Sequence, residues 1–351
     1  MKKVFLSTLA LIVSLSFSGC GQQPTLQKAE AENTKVVSKT HSVEQKQTMQ
    51  EKKSDVIHDI RIRTANNTDG KITIESIEKA FKANGFQIST NNDMSKSFAG
   101  KFGKTDPTAG TDFKIYRLMP VLHRGYTVNI LKEYPEFGLI APISTSVYSK
   151  DGSKMSISSL SLKAMSRMTG VPEDNKDLVA LYTSLTKALT EALPNGSFED
   201  LSYNVLKPDG SLVTRFAFVL PNPKGNFEEA LDSYDEIMEG EVESVGFVFP
   251  VFTDLTEDLT NAGFEEYDFY RTVSICNLDV IYPVHKFHPE VGAYAPCTMY
   301  KYKRKDDKFM RMGYPSVHNW TIGTQIEDEY SLEPLIKAQD LLESKIDSTI
   351  E

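Results

Sequence analysis

Apolar positions follow strand and helix rhythms in turn, and the succession occurs twice along the chain. In HDIRIRT, Ile60 and Ile62 alternate with polar residues, the period of a half-buried strand, as Phe216 and Phe218 do in TRFAFVL. Ile74, Ile77 and Phe81 share one face of a helix predicted over Ile74–Asn84, with Gly85 as its stop. A strand at Phe113–Met119, a short helix near Tyr126–Tyr134 and a strand at Gly138–Tyr148 follow. Asp151-Gly152 is a hairpin signal leading into a strand at Lys154–Leu160. A helix over Asp174–Leu193 lines up Leu178, Leu181, Leu185 and Leu189, and Pro194-Asn195-Gly196 ends it. The second half closes on a helix over Ser331–Ile346, with Leu332, Leu335, Ile336 and Leu342 predicted inward.

Self-comparison makes the recurrence explicit. Phe113–Tyr148 aligns without a gap, at constant offset, onto Tyr267–Tyr302. The identities are Tyr116/Tyr270, Arg117/Arg271, Lys132/Lys286, Pro135/Pro289, Glu136/Glu290, Gly138/Gly292, Ala141/Ala295, Pro142/Pro296 and Tyr148/Tyr302. Upstream, Gly85-Phe86 matches Gly246-Phe247 and Asp93 matches Asp254, with an insertion in repeat 1 at TDPTAGT (Thr105–Thr111). We place repeat 1 at residues 57–204 and repeat 2 at 211–351.

The N-terminus differs from both repeats. Lys2-Lys3, an apolar run from Val4 to Phe17 and the end Ser18-Gly19-Cys20 have the layout of a secretory signal peptide over residues 1–19. Ser-Gly-Cys resembles the lipobox of bacterial lipoproteins, with Phe17 where Leu is usual. The resemblance implies a diacylglyceryl group on Cys20, cleavage before it and a lipid bilayer as partner. Residues 20–56 are rich in Gln, Lys, Glu, Thr and Ser and carry no aromatic residue, the composition of a flexible tether. Its root-mean-square reach is about 30 Å. His41 is read there as solvated. With Gly21 after the Cys, the sorting rule of enteric bacteria places the anchor in the cell envelope, on the periplasmic face of the outer membrane.

The formal charge of −9 argues against a nucleic-acid partner, which needs a basic footprint. Gly225–Tyr270 has fourteen Asp and Glu and no Lys or Arg. Lys301, Lys303, Arg304, Lys305, Lys308 and Arg311 form an opposing basic hairpin. The acidic segment is read as a solvated helix face, with a docking face for a basic partner or a weak Ca²⁺ site as alternatives, and the two segments are placed to meet within the protein or between copies. No P-loop, Gly-rich dinucleotide turn, HExxH or GxSxG motif is present.

The aromatic-rich strand, the Pro-Glu-x-Gly approach to a strand ending in Tyr, the hairpin and the closing amphipathic helix resemble domain-of-unknown-function family 302, across both repeats. The resemblance implies an α+β fold: two tandem TBP-like α/β-sheet domains forming an intramolecular pseudo-dimer. It implies no activity. Many family members carry Cys-Asn-Pro at the end of the middle strand and Pro-Cys before the next. Repeat 2 keeps Cys276-Asn277 and Pro296-Cys297, whereas repeat 1 has Leu122-His123 and Pro142-Ile143.

Any ligand chemistry therefore belongs to repeat 2. Cys276, Asn277 and Cys297 are expected to line one cavity, with His285 or His288 in reach. Inert core thiols are the plainer alternative. A helix between the two cysteines that carried the chain back along the sheet would make their strands parallel. The thiols would then lie at opposite ends, beyond disulfide reach. His123 and His318 are read as surface or core residues. We expect a non-enzymatic envelope protein, without a resident cofactor, that binds a small ligand or an envelope protein between its repeats. The alternative is a redox, transition-metal or haem protein using the repeat 2 cysteines with His285 or His288.

Overall fold

A computed structural model describes residues 59–201, 211–221, 226–324 and 326–350. The signal peptide, Cys20, the tether with His41 and the join between the repeats lie outside the described residues. All described residues belong to one compact unit. Among them, no helix is long and apolar enough to cross a membrane.

Repeat 1 runs β1 (Ile60–Asn66), α1 (Ile74–Ala83), β2 (Gln87–Ile88), β3 (Asn92–Asp93), α2 (Met94–Phe102), β4 (Ile115–Leu118), β5 (Val121–Leu122) and α3 (Arg124–Leu131). It continues through a 3₁₀ turn at Pro135–Ile140, β6 (Ser146–Ser149), β7 (Lys154–Leu160), α4 (Leu162–Thr169), α5 (Lys176–Ala192) and β8 (Ser197–Asp200). Repeat 2 runs β9 (Val213–Phe218), α6 (Phe227–Glu243), β10 (Phe247–Asp254), α7 (Thr256–Asn261), β11 (Tyr267–Asn277) and α8 (Leu278–Phe287). A 3₁₀ turn at Pro289–Ala293, β12 (Cys297–Arg304), β13 (Met310–Pro315), α9 (His318–Thr324) and α10 (Glu329–Ile350) complete it.

The fold is α+β with antiparallel sheets. Sheet 1 has the order β3-β4-β6-β7-β1-β8 and sheet 2 the order β10-β11-β12-β13-β9. In the register of the sequence repeat the two orders coincide, and β8 is an added outer strand on sheet 1. Helix α5 buries Leu178, Leu181, Leu185 and Leu189, the stripe its sequence predicts. Helix α10 buries Ser331, Leu335, Ala338, Leu342 and Ile346. Ile336, expected inward, is 45% exposed because it lies about 100° around the helix from Leu335.

Other expectations need correction. The strand predicted over Gly138–Tyr148 starts later, because a 3₁₀ turn that Pro135 opens runs over Pro135–Ile140. After the turn Ser146–Ser149 forms β6, and Ile143 makes a single antiparallel bridge to Val121. Helix α2 was not foreseen, although its cap was in view: Asp93 accepts the backbone N–H of Lys96, and the equivalent Asp254 accepts that of Thr256 at α7. The strands bearing the two cysteines are antiparallel, not parallel.

The repeats touch through reciprocal contacts. Ser144 donates to the carbonyl of Pro296 at 2.7 Å, and Thr298 donates to the carbonyl of Pro142 at 3.3 Å. These are the same two positions with the repeats exchanged. Ser146 donates to the Pro289 carbonyl at 3.0 Å, and the Tyr270 hydroxyl donates to the Pro135 carbonyl. Gly292 sits on Ser146, and Gly138 sits on Tyr270 and Tyr300, so closely that neither site has room for a Cβ. Tyr270, Thr272, Ser146 and Ser158 are fully buried here. Direct packing thus fills the space between the repeats at these contacts.

Other contacts are not reciprocal. In the insertion of repeat 1, Asp106 accepts from the Tyr282 hydroxyl at 2.5 Å and from Lys286 at 3.2 Å, both on α8 of repeat 2. The bond from Thr108 first, and then those from Tyr282 and Lys286, hold its carboxyl well below the usual carboxylate range.

The acidic and basic segments meet inside repeat 2. Lys301 is fully buried and donates to Asp235 of α6 at 2.6 Å. Arg271 lies 3.6 Å from Asp235 and 3.8 Å from Asp232. Lys303 pairs with Asp268, and Arg304 with Glu266 at 3.0 Å.

Candidate functional site

Alternation along β11 sorts repeat 2 into two faces. Tyr270 and Thr272, with Thr298 and Tyr300 of β12, reach repeat 1. Arg271, Val273 and Ile275, with Met299 and Lys301, face α6 and its neighbours Leu231, Tyr234 and Met238. Ile275 pairs with Cys297, so Cys297 shares the α6 face, whereas Cys276 turns to the opposite one. The thiols therefore sit at the same end of the sheet but on opposite faces. That geometry, not distance along the sheet, keeps them from bridging, and both are free.

Where the sheet ends, both thiols border one cavity of about 50 Å³. Its wall is apolar: Phe247, Ile275, Val280, Ile281, Ala295, Pro296, Val317, Leu335, Ala338 and Leu342. The polar wall groups come from Cys276, Asn277, Cys297, Tyr314, Trp320 and Gln339, and no charged side chain lines it. Most of these are already engaged. Asn277 caps α8, accepting the N–H of Asp279 at 2.9 Å. His123, its counterpart in repeat 1, caps α3 in the same way and stacks on Tyr126. Gln339 accepts from the Val317 N–H at 3.2 Å and donates to the Thr214 hydroxyl at 2.8 Å.

Trp320 differs. It is 5% exposed, and its indole N–H is buried without a hydrogen-bond partner. The Cys297 thiol is a neighbour, and the indole N–H only weakly offsets the effect of burial on it. Tyr294 stacks on the indole at 6.4 Å between ring centres and holds its orientation. Sequence reasoning missed Trp320. The only available signal was that the chain's single tryptophan follows a buried strand.

Both cysteines are half-buried as residues, but desolvation of the sulfurs pushes the thiols up to about 12. A thiol in that range holds almost no thiolate near neutrality. We expect native protein at pH 8 to react with a disulfide reagent roughly a hundredfold more slowly than urea-unfolded protein. Rapid labelling of either cysteine in the native state would refute the burial described.

Neither His285 nor His288 lines the cavity. His285 is 1% exposed and packed among Phe98, Tyr116, Phe113 and Tyr282, three of them from repeat 1. Its Nδ1–H donates to the Tyr282 carbonyl at 2.6 Å, leaving Nε2 3.9 Å from Asp112 of repeat 1. Burial drives its pKa down to about 4. His288 lies 3.4 Å from Glu290 and 3.3 Å from Asp328, which raise its pKa. The thiols and histidines thus form no common donor set for haem iron or a transition metal. Among the described residues, no three His, Cys, Asp or Glu side chains gather as one either.

No curated protein matches the chain. The crystal structure of an uncharacterized conserved protein, DUF302, from Bacillus stearothermophilus is similar over 40% of this chain and 98% of its own. The identity is 16% and the TM-score 0.32. The family resemblance read from the sequence is established over the body of repeat 1, where residues 60–192 match the model of the family described as Domain of unknown function DUF302.

Proposed function

We propose that this chain is a lipid-anchored envelope protein whose two family-302-like repeats, residues 57–204 and 211–351, pair as an intramolecular pseudo-dimer of TBP-like domains. In this reading the chain is non-enzymatic and holds a small ligand in the repeat 2 cavity. One observation carries the ligand reading: the apolar cavity has a buried indole N–H, that of Trp320, with no hydrogen-bond partner beyond the weak acceptor sulfur of Cys297. Buried donors are almost always paired, and an unpaired one costs about 1–3 kcal/mol. The exchange of equivalent positions across the repeat contact supports the pairing, since self-complementary contact is the mark of two-fold association.

Xenon tests the cavity because apolar cavities take it up without any polar contact. We expect a saturable xenon shift in nuclear resonance with wild-type protein and none with Cys297→Ile, which installs the side chain repeat 1 has at that place. A shift that grows without saturation would refute the site. The anchor is tested separately. Cys20→Ser is expected to abolish lipid labelling and processing by signal peptidase II, and unchanged labelling would remove the anchor from this reading.

A further inference from the structure

Resting on that reading, we propose that the cavity selects a small uncharged molecule, mostly apolar, whose single hydrogen-bond acceptor receives the indole N–H of Trp320. Three features set the class. The volume of about 50 Å³ admits only a few heavy atoms. The wall carries no Lys, Arg, His, Asp or Glu, so an ion would lose its hydration with no countercharge in return. The one polar demand not met by a strong partner is for an acceptor: the Trp320 donor has only the weakly accepting Cys297 sulfur beside it, and the side chains of Asn277 and Gln339 are committed elsewhere. Both thiols are held protonated by burial, so they present neutral, polarizable surface to the ligand.

The ring is set in advance. Tyr294 stacks on it, and the Tyr294 hydroxyl fills the space beside Gly323, where a Cβ would lie 2.0 Å from it. Repeat 1 lacks this arrangement, since Leu122 and Ile143 stand where Cys276 and Cys297 line the wall. The donor and the cavity belong to repeat 2.

Because the chain has one tryptophan, its indole N–H gives one resolved cross-peak in a nitrogen–proton correlation spectrum. The probes are acetonitrile and propyne, linear molecules of equal heavy-atom count. Acetonitrile carries an acceptor at its end and propyne does not. We expect acetonitrile to bind saturably, to move the indole proton downfield, and to bind about tenfold tighter than propyne. Acetate should not compete. In Trp320→Phe, followed through the Ala338 and Leu342 methyl signals, the two probes should bind equally. Cys297→Ile, a volume change that leaves the donor in place, should bind neither.

Equal affinities in the wild type would overturn the acceptor claim while leaving the cavity reading intact. So would a cross-peak already bonded to a long-lived water that neither probe displaces. Saturable xenon uptake with no binding of either probe would do the same. Failure of xenon and both probes together would remove the cavity reading itself.

Discussion

Gly292→Ala is expected to lower folding stability by about 3 kcal/mol, measured by urea denaturation. A Cβ at Gly292 would lie 2.3 Å from the Cβ of Ser146 in the other repeat. Both atoms are fixed by backbone, and Ser146 is fully buried with its hydroxyl bonded to Ser158 and to the Pro289 carbonyl. Neither can move without shifting sheet 1 or the 3₁₀ turn. Gly138→Ala should behave alike, because its Cβ would meet the Tyr270 hydroxyl at 2.2 Å and the Tyr300 Cβ at 2.7 Å. Gly240→Ala is the control. It lies inside α6 with nothing within 4 Å of a new Cβ, and should add up to about 1 kcal/mol. Adding Ser146→Gly to Gly292→Ala should recover part of the loss, a coupling that only direct contact produces. A Gly292→Ala protein as stable as the wild type would contradict the packing between the repeats.

Acidification from pH 7 to pH 4 should cost the wild type about 3 kcal/mol more than it costs His285→Phe. The folded pKa of His285 is depressed from 6.5 to about 4 by burial. Between those values the unfolded chain takes up a proton that the folded chain refuses. The contribution of the neutral histidine is therefore whole above about pH 6.5, falls as pH drops through that window and levels off below about 4. Asp112, 3.9 Å from Nε2, favours the charged ring and Lys286 opposes it, and the depression is what remains. Phenylalanine keeps the aromatic contacts with Phe98 and Tyr116 and cannot titrate. Unfolding curves for the two proteins at closely spaced pH values give the difference directly. A difference that stays constant with pH would show that His285 is not held neutral at the contact between repeats.

Much of the architecture was legible in the chain because period and repetition are local signals. The leucines of α5, the Asp151-Gly152 hairpin and the pairing of Gly85 with Gly246 all read directly. The 3₁₀ turn at Pro135–Ile140 did not, because its apolar residues are buried between α3 and α4 of its own repeat and β12 and β13 of the other, and mimic a strand in sequence. The relation of Cys276 to Cys297 depended on whether an antiparallel or a parallel return follows α8, which spacing does not reveal. His285 and His288 looked like one pair at helical spacing, yet α8 ends at Phe287 and sends them to different neighbours. Trp320 could not be found from the sequence, because an unpartnered N–H is a property of surroundings supplied by α10, β12 and β13.

The loop around Asp106 has a consequence for how two halves of one chain diverge. A symmetric homodimer displays every residue change at both ends of its axis, so a loop that improves one end must be tolerated at the other. Here the loop exists once and grips α8 of the second repeat through Tyr282 and Lys286. Selection can act on the two halves separately, letting the first drift toward a brace while the second keeps a hollow interior. The covalent join also makes the grip indifferent to dilution, since partner and site arrive on one molecule. Assembly of the two halves is thereby freed from abundance.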